Sequence, residues 1–156
     1  EKDLTTCLDL CGVDIEGFIL EPLASSHSIL DNNEKELGTV LIDIGGGTSD
    51  IIVYNNNSIL HTGAISLGGQ SITKDIAFGI QTSIEQAEHI KCNHGIAKTS
   101  LSDSDIEITI EGTNGRENKT ITQKDISNIV QARMNEIFHL ILLNYTLVCQ
   151  IDTFRV

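Results

Sequence analysis

The sequence predicts an α/β fold, a mixed sheet containing an antiparallel meander with helices before and after it. Three observations carry that reading. Thr39-Val40-Leu41-Ile42 and Ile51-Ile52-Val53-Tyr54 are β-branched and aliphatic runs of strand length, separated by a glycine-rich loop. Asn55-Asn56-Asn57 then turns the chain into a third run, Ile59 to Leu67. Around these strands lie segments with helical period and recognisable start and stop signals.

The elements follow in order. Leu4, Cys7, Leu8 and Cys11 fall at i, i+3, i+4 and i+7, so a helix is predicted with both cysteines packed in its apolar stripe and Gly12 as its stop. Phe18-Ile19-Leu20 reads as a short buried strand. Pro22 suits the first turn of a helix running to Leu30, because its missing N–H costs nothing there. Residues 31 to 38 read as a polar surface loop. After the meander, Gly68-Gly69 breaks the strand and a helix is predicted from about Ser71 to Gly79. Thr82-Ser83-Ile84-Glu85 is a capping box that starts another, with Ile84, Ala87 and Ile90 inward and Glu85, Glu88 and Lys91 on the opposite side. Ile106, Ile108 and Ile110 alternate as in a strand, and residues 112 to 118 form a turn. Thr122 with Asp125 caps a long helix whose stripe is Ile126, Ile129, Val130, Met134, Ile137 and Ile141.

At 156 residues and 17.0 kDa the chain is long enough for one real core. A formal net charge of −12 argues against nucleic-acid binding, which needs a basic face. No uninterrupted apolar run reaches the length of a membrane span, and the N-terminus lacks the basic and apolar regions of a signal peptide. Cys7, Cys11, Cys92 and Cys149 show no disulfide framework and read as reduced cytoplasmic thiols.

The segment Asp43-Ile44-Gly45-Gly46-Gly47-Thr48-Ser49-Asp50 carries the chemistry. Glycines allow positive φ and remove the Cβ, so successive N–H groups can converge on an anion, and Thr48 adds a hydroxyl. A carboxylate at each end would repel a bare phosphate. Mg²⁺ between them resolves the conflict, since it takes one or two carboxylates together with water and phosphate oxygens. The motif therefore points to a Mg-nucleotide; the alternative is a tight turn whose aspartates face solvent. His89, Cys92 and His94 do not make a metal site, because position 94 points away from the face shared by 89 and 92.

The glycine loop resembles the second phosphate-binding loop of the actin/Hsp70/sugar-kinase ATPase superfamily. Further segments, in order, are similar to the FtsA family of bacterial cell-division proteins. They are Leu20 to Ser26 (LEPLASS), Glu36-Leu37-Gly38, Asp43 to Asp50, His61-Thr62, Thr73 to Ala77 (TKDIA), and Ala87 to Lys91 (AEHIK) with His94-Gly95. Gly115-Arg116 and the helix Ile126 to Leu140 around Arg133 complete the series, which covers roughly residues 2 to 142.

The resemblance implies a ribonuclease H-like, actin-type ATPase lobe. Residues 1–83 would belong to subdomain 2A and 84–142 to a smaller 2B, with 143–156 a divergent or truncated tail. It implies ATP and Mg²⁺ as cofactors. Gly45, Gly46, Gly47 and Thr48 would hold the β- and γ-phosphates, and Asp43 would act on Mg²⁺ through water. Asp50 would assist the metal or merely cap the turn. Glu21 would position water near the γ-phosphate, or else simply favour a helix N-terminus. Glu88 and Lys91 would contact ribose and adenine, or form an ordinary i, i+3 ion pair.

The family role is a nucleotide-binding scaffold and not an enzyme, with at most weak ATPase activity in the full-length protein. It self-associates into actin-like polymers and receives the FtsZ C-terminal tail on subdomain 2B. It works at the division site on the cytoplasmic face of the inner membrane, attached through a segment absent from this sequence. The alternatives are a chaperone or kinase lobe of the same superfamily, or a truncated fragment without function. Half of a clamp leaves nucleotide exposed on one face, so weak or no ATP binding is expected of the chain alone.

Overall fold

The computed structural model describes residues 1–110, 112 and 117–152, with side chains as far as Thr146. In chain order come α1 (Lys2–Leu10), α2 (Glu21–Ile29), α3 (Asn32–Leu37), β1 (Thr39–Ile44), β2 (Ser49–Asn55), β3 (Ser58–Ile65), α4 (Gly69–Ile80) and α5 (Ile84–His94). A 3₁₀ turn (Thr99–Leu101), β4 (Glu107–Ile110), β5 (Lys119–Thr122) and α6 (Gln123–Asp152) follow.

One sheet has the order β1-β2-β3. Residues 45–48 and 56–57 are too short for a crossover, so neighbouring strands run antiparallel as the meander requires. Asn56 and Asn57 sit at φ 49° and 59°, the left-handed conformation that two-residue hairpins need and asparagine tolerates. β4 and β5 form a separate antiparallel pair with Ile108 opposite Ile121.

The chain forms two compact units, Glu1–Leu41 with Ile52–Thr62, and Ile42–Ile51 with Gly63–Val156. In the first, Asp31 and Glu34 make a reciprocal capping box that starts α3. The amides of Asn56 and Asn57 donate to the carbonyls of Glu36 and Lys35, so the hairpin closes the end of that helix. Tyr54 is buried and shares a 2.7 Å hydrogen bond with Ser26 of α2.

In the second unit one core joins Ile72, Ile76 and Ile80 of α4 to Ala87 and Ile90 of α5, Ile108 and Ile110 of β4, and Ile126 and Val130 of α6. This core runs without a break across residues 83/84, where the subdomain division is expected, so the two compact units are grouped differently from that division. Thr122 and Asp125 cap α6 as anticipated: the Thr122 amide donates to Asp125 Oδ2 (2.9 Å) and the Asp125 amide donates to Thr122 Oγ1 (3.2 Å). Arg133 grips Asp75 with both Nε (2.5 Å) and Nη2 (2.8 Å), tying α6 to α4. Changing Thr122 to alanine should cost about 1 kcal/mol, read as a lower urea midpoint at unchanged slope.

Four expectations are corrected. Residues 32–37 are helical, because Asp31 and Glu34 satisfy each other's amides. Phe18, Ile19 and Leu20 are exposed and not a strand, since no described strand pairs with them. α1 forms, but none of its residues is buried and Cys7 and Cys11 are exposed. Helical period sets which side chains share a face, and does not supply something to cover it. Ser83, not Thr82, is the N-cap of α5, and Ile84 is 51% exposed because it stands four and seven residues before Glu88 and Lys91, on the open face of the helix with them and away from Ile90. Of the residues 112–118, Gly112, Glu117 and Asn118 are described, and the Gly112 amide donates to Asn118 Oδ1 (3.0 Å). Gly115, Arg116 and the Cys149 side chain lie outside the described residues.

Candidate functional site

Residues 45–48 link β1 to β2 as a tight loop in which the Gly45 amide donates to the Thr48 carbonyl (2.9 Å). The first amides of α4 hold this loop from the other side. Gly69 N–H donates to Gly45 O (2.9 Å) and Gln70 N–H to Gly46 O (2.8 Å). These are orphan donors of a helix start, and here loop carbonyls satisfy them. Gly68 makes the approach possible: a Cβ there would stand 2.4 Å from Gly45 O and 2.7 Å from Gly46 O.

Among the described residues, the amides of Gly46, Gly47 and Thr48 make no backbone hydrogen bond. None of the three loop glycines has φ in the left-handed region, so positive φ is not what glycine supplies here. A Cβ on Gly47 would meet nothing within 4 Å, and one on Gly46 would meet only the Gln70 side chain at 3.6 Å. What glycine supplies is bare backbone, open to a ligand.

A polar network lies next to the loop. Lys91 Nζ donates to Glu88 Oε2 (2.7 Å), Thr73 Oγ1 (2.9 Å) and Gly69 O (3.2 Å). The Thr73 hydroxyl donates to Glu88 Oε2, and Cys92 Sγ donates to Glu88 Oε1 (3.4 Å). Glu88 and Lys91 are therefore more than a solvated i, i+3 pair, because α4 contributes two of the partners and the Lys91 side chain is only 20% exposed. Gly46, Gly69, Gln70, Thr73, Lys74, Ile84, Glu85, Glu88 and Lys91 line one cleft of about 570 Å³. That size suits a small ligand.

The hydrogen bond from Lys91, then that from Thr73, pulls the Glu88 carboxyl down from 4.5 to about 2. A carboxylate with a depressed pKa stabilises the fold above its unfolded value and loses that contribution as pH falls through the folded value. The window is thus from about 4.5 down to about 2. Because the Glu88 side chain is 47% exposed, the effect should stay below about 1 kcal/mol. Urea midpoints at pH 6 and pH 2.5 should differ less for Glu88→Gln than for the wild type. Equal differences would remove Glu88 from the acid response.

Asp43 and Asp50 flank the loop and are both half-buried, and Thr48 Oγ1 donates to Asp50 Oδ2 at 3.4 Å. No cluster of three metal-ligating side chains occurs among the described residues, which includes His89, Cys92 and His94. Mg²⁺ needs no such cluster, since phosphate oxygens and water complete its shell. The donor set fits a Mg-nucleotide: loop amides without backbone partners for phosphate, a carboxylate at each end of the loop for the cation, and a hydrogen-bonding Glu–Lys pair in the cleft that Gly46 lines. Glu21 belongs to the first unit, where it is the exposed first residue of α2. Sequence reasoning missed Gly68, Gln70 and Thr73. The Gly68-Gly69 pair was the available signal, legible only as a strand breaker.

The model of the family described as "FtsA: Cell division protein FtsA" matches residues 40–151. The chain belongs to this family. The FtsA proteins of Neisseria meningitidis and Bacillus subtilis are 38% and 40% identical to it over 141 residues, and that of Escherichia coli K12 is 34% identical over 140. These alignments cover 90%, 89% and 90% of this chain and 34%, 32% and 33% of those proteins, so the chain spans about a third of the FtsA relatives it matches. The family match runs to residue 151, and α6 is a single helix from Gln123 to Asp152.

Among solved structures, MreB5 of Spiroplasma citri bound to AMPPNP superposes with a TM-score of 0.79 at 21% identity, covering 93% of this chain and 46% of that one. The ADP-bound form gives 0.77 with the same coverage. The chain thus has an actin-like ATPase fold. No described helix is long and apolar enough to cross a membrane.

Proposed function

We propose that this chain supplies the nucleotide-binding second lobe of an actin-like division scaffold that binds MgATP. The observation that carries the reading is the shared cleft. Loop 45–48, whose Gly46, Gly47 and Thr48 amides make no backbone hydrogen bond, is pinned to α4, and its Gly46 lines the same cleft as the Thr73–Glu88–Lys91 network. Gly45, Gly46, Gly47 and Thr48 hold the β- and γ-phosphates, and Asp43 acts on the metal through water, assisted by Asp50. Glu88 and Lys91 hold the ribose. Bound Mg²⁺ supplies charge neutralisation between phosphate and carboxylate in a chain whose net charge is −12.

The scaffold works by assembly, with nucleotide setting a conformation and turnover incidental. Its polymers form at the division site on the cytoplasmic face of the membrane, where residues 84–142 receive the FtsZ tail. Family membership supports the division role, and the likeness to AMPPNP- and ADP-bound MreB5 supports the nucleotide.

Fluorescence titration with a ribose-labelled ATP analogue tests the reading. Saturable binding should require Mg²⁺, lie in the weak range, and fall about tenfold in Lys91→Met, as removing a charged hydrogen-bond partner implies. Binding that ignores both Mg²⁺ and Lys91 would refute it.

A further inference from the structure

The first compact unit contains a cleft of about 620 Å³ that takes no part in the site above. It is lined by Leu23 and His27 of α2, Asn32 and Lys35 of α3, and Tyr54, Asn57, Ser58 and Ile59 of the β2–β3 hairpin. Lys35 is the telling residue. It is only 9% exposed, and its ammonium lies 5.3 Å from the centroid of the Tyr54 ring. What is buried is the side-chain stem: the ammonium is not among the fully buried polar atoms that lack a partner, so it opens onto the cleft, where the Tyr54 ring supplies only part of what an ion pair would. Acidic residues outnumber basic ones by 22 to 10, yet among the described residues no carboxylate forms an ion pair with Lys35. Its acidic neighbour Glu34 is committed to the Asp31 capping box, and Glu36 is exposed.

The surroundings of this cation are fixed. The Tyr54 hydroxyl is held by Ser26 Oγ at 2.7 Å, and Ser26 lies in turn 2.7 Å from Leu23 O. The Lys35 carbonyl accepts from the Asn57 amide (3.1 Å), which locks the helix bearing the lysine to the hairpin bearing the opposite wall. Leu23, Ile59 and the Tyr54 ring give apolar walls. Asn32, Asn57 and Ser58 offer neutral donors near the cation, and no acidic side chain lines the cleft.

We propose that this cleft is a second ligand site, for a small organic anion in which a carboxylate or phosphate group is joined to an apolar body. The anionic head pairs with Lys35 and the body packs against Leu23 and Ile59. The site is independent of the nucleotide cleft, since none of its lining residues is shared with it.

Titrations of the isotope-labelled 156-residue chain with benzoate, phenyl phosphate and inorganic phosphate, followed by NMR, test the proposal. Saturable shifts should map to Asn32, Lys35, Asn57 and Ser58, with benzoate or phenyl phosphate binding at least tenfold more tightly than inorganic phosphate. The tighter of the two identifies the head group. Lys35→Arg should retain binding, and Lys35→Met, if its circular dichroism is unchanged, should lose at least tenfold. Absence of saturable shifts at these residues in the wild type overturns the proposal whatever the variants do. So does undiminished affinity in folded Lys35→Met.

Discussion

Gly68→Ala is expected to destabilise the chain by about 1–3 kcal/mol, the usual cost of forcing extra volume into a packed site, and to weaken nucleotide binding with it. The new Cβ would meet the carbonyl oxygens of Gly45 and Gly46 at 2.4 and 2.7 Å. Those atoms are backbone and cannot swing aside. Strain in φ is not the cause, because Gly68 sits at −165°, where alanine is comfortable. Relief requires loop and helix to part, which breaks the bonds from Gly69 and Gln70 to the loop. Each such bond is worth about 0.5–1.5 kcal/mol. A urea titration at pH 7 reads the stability loss, and the labelled-ATP titration reads the functional one. Wild-type values for both would mean that the glycine loop is not held by α4.

Ile126→Ala carries the larger loss, about 2–5 kcal/mol. Ile126 is fully buried at the start of α6, in the core that also holds α4 and α5. Typical domains are stable by only about 5–15 kcal/mol, so this truncation threatens the fold. α4 and α5 carry Thr73, Glu88 and Lys91, so the cleft should lose affinity although Ile126 does not line it. Ile126→Val keeps most of the volume and should cost about 0.5–1.5 kcal/mol, with binding intact. Equal effects from the two substitutions would show that packing at this position does not support the cleft.

The contrast between these residues explains what a reader of the sequence can and cannot see. Ile126 was legible as core because a long stripe at helical period has one interpretation in a capped helix. The glycine loop was legible because its residue types have few other uses between two strands. Its companions were harder. Thr73 and Gln70 are ordinary polar residues on a helix, and their value comes from α4 starting against the loop, a tertiary fact. Gly68 reads as punctuation until the atoms it lets approach are known. Glu88 and Lys91 were visible through family resemblance, whereas spacing alone allowed a solvated ion pair. The errors share a cause. Apolar period marked α1 and Phe18 to Leu20 as buried, but period specifies a face and not its cover. The polar composition of residues 32–37 reads as a loop, although the Asp31/Glu34 capping box that makes them helical is present in the sequence.

The central claim is that the open amides of the glycine loop and the Thr73–Glu88–Lys91 network form one Mg-nucleotide site. Amide-resolved NMR of the 156-residue chain, titrated to millimolar MgATP, tests it most directly. The account predicts weak, saturable, Mg²⁺-dependent shifts centred on residues 43–50, 69–73 and 88–91. Shifts elsewhere with this set silent, or none at millimolar MgATP, would contradict it.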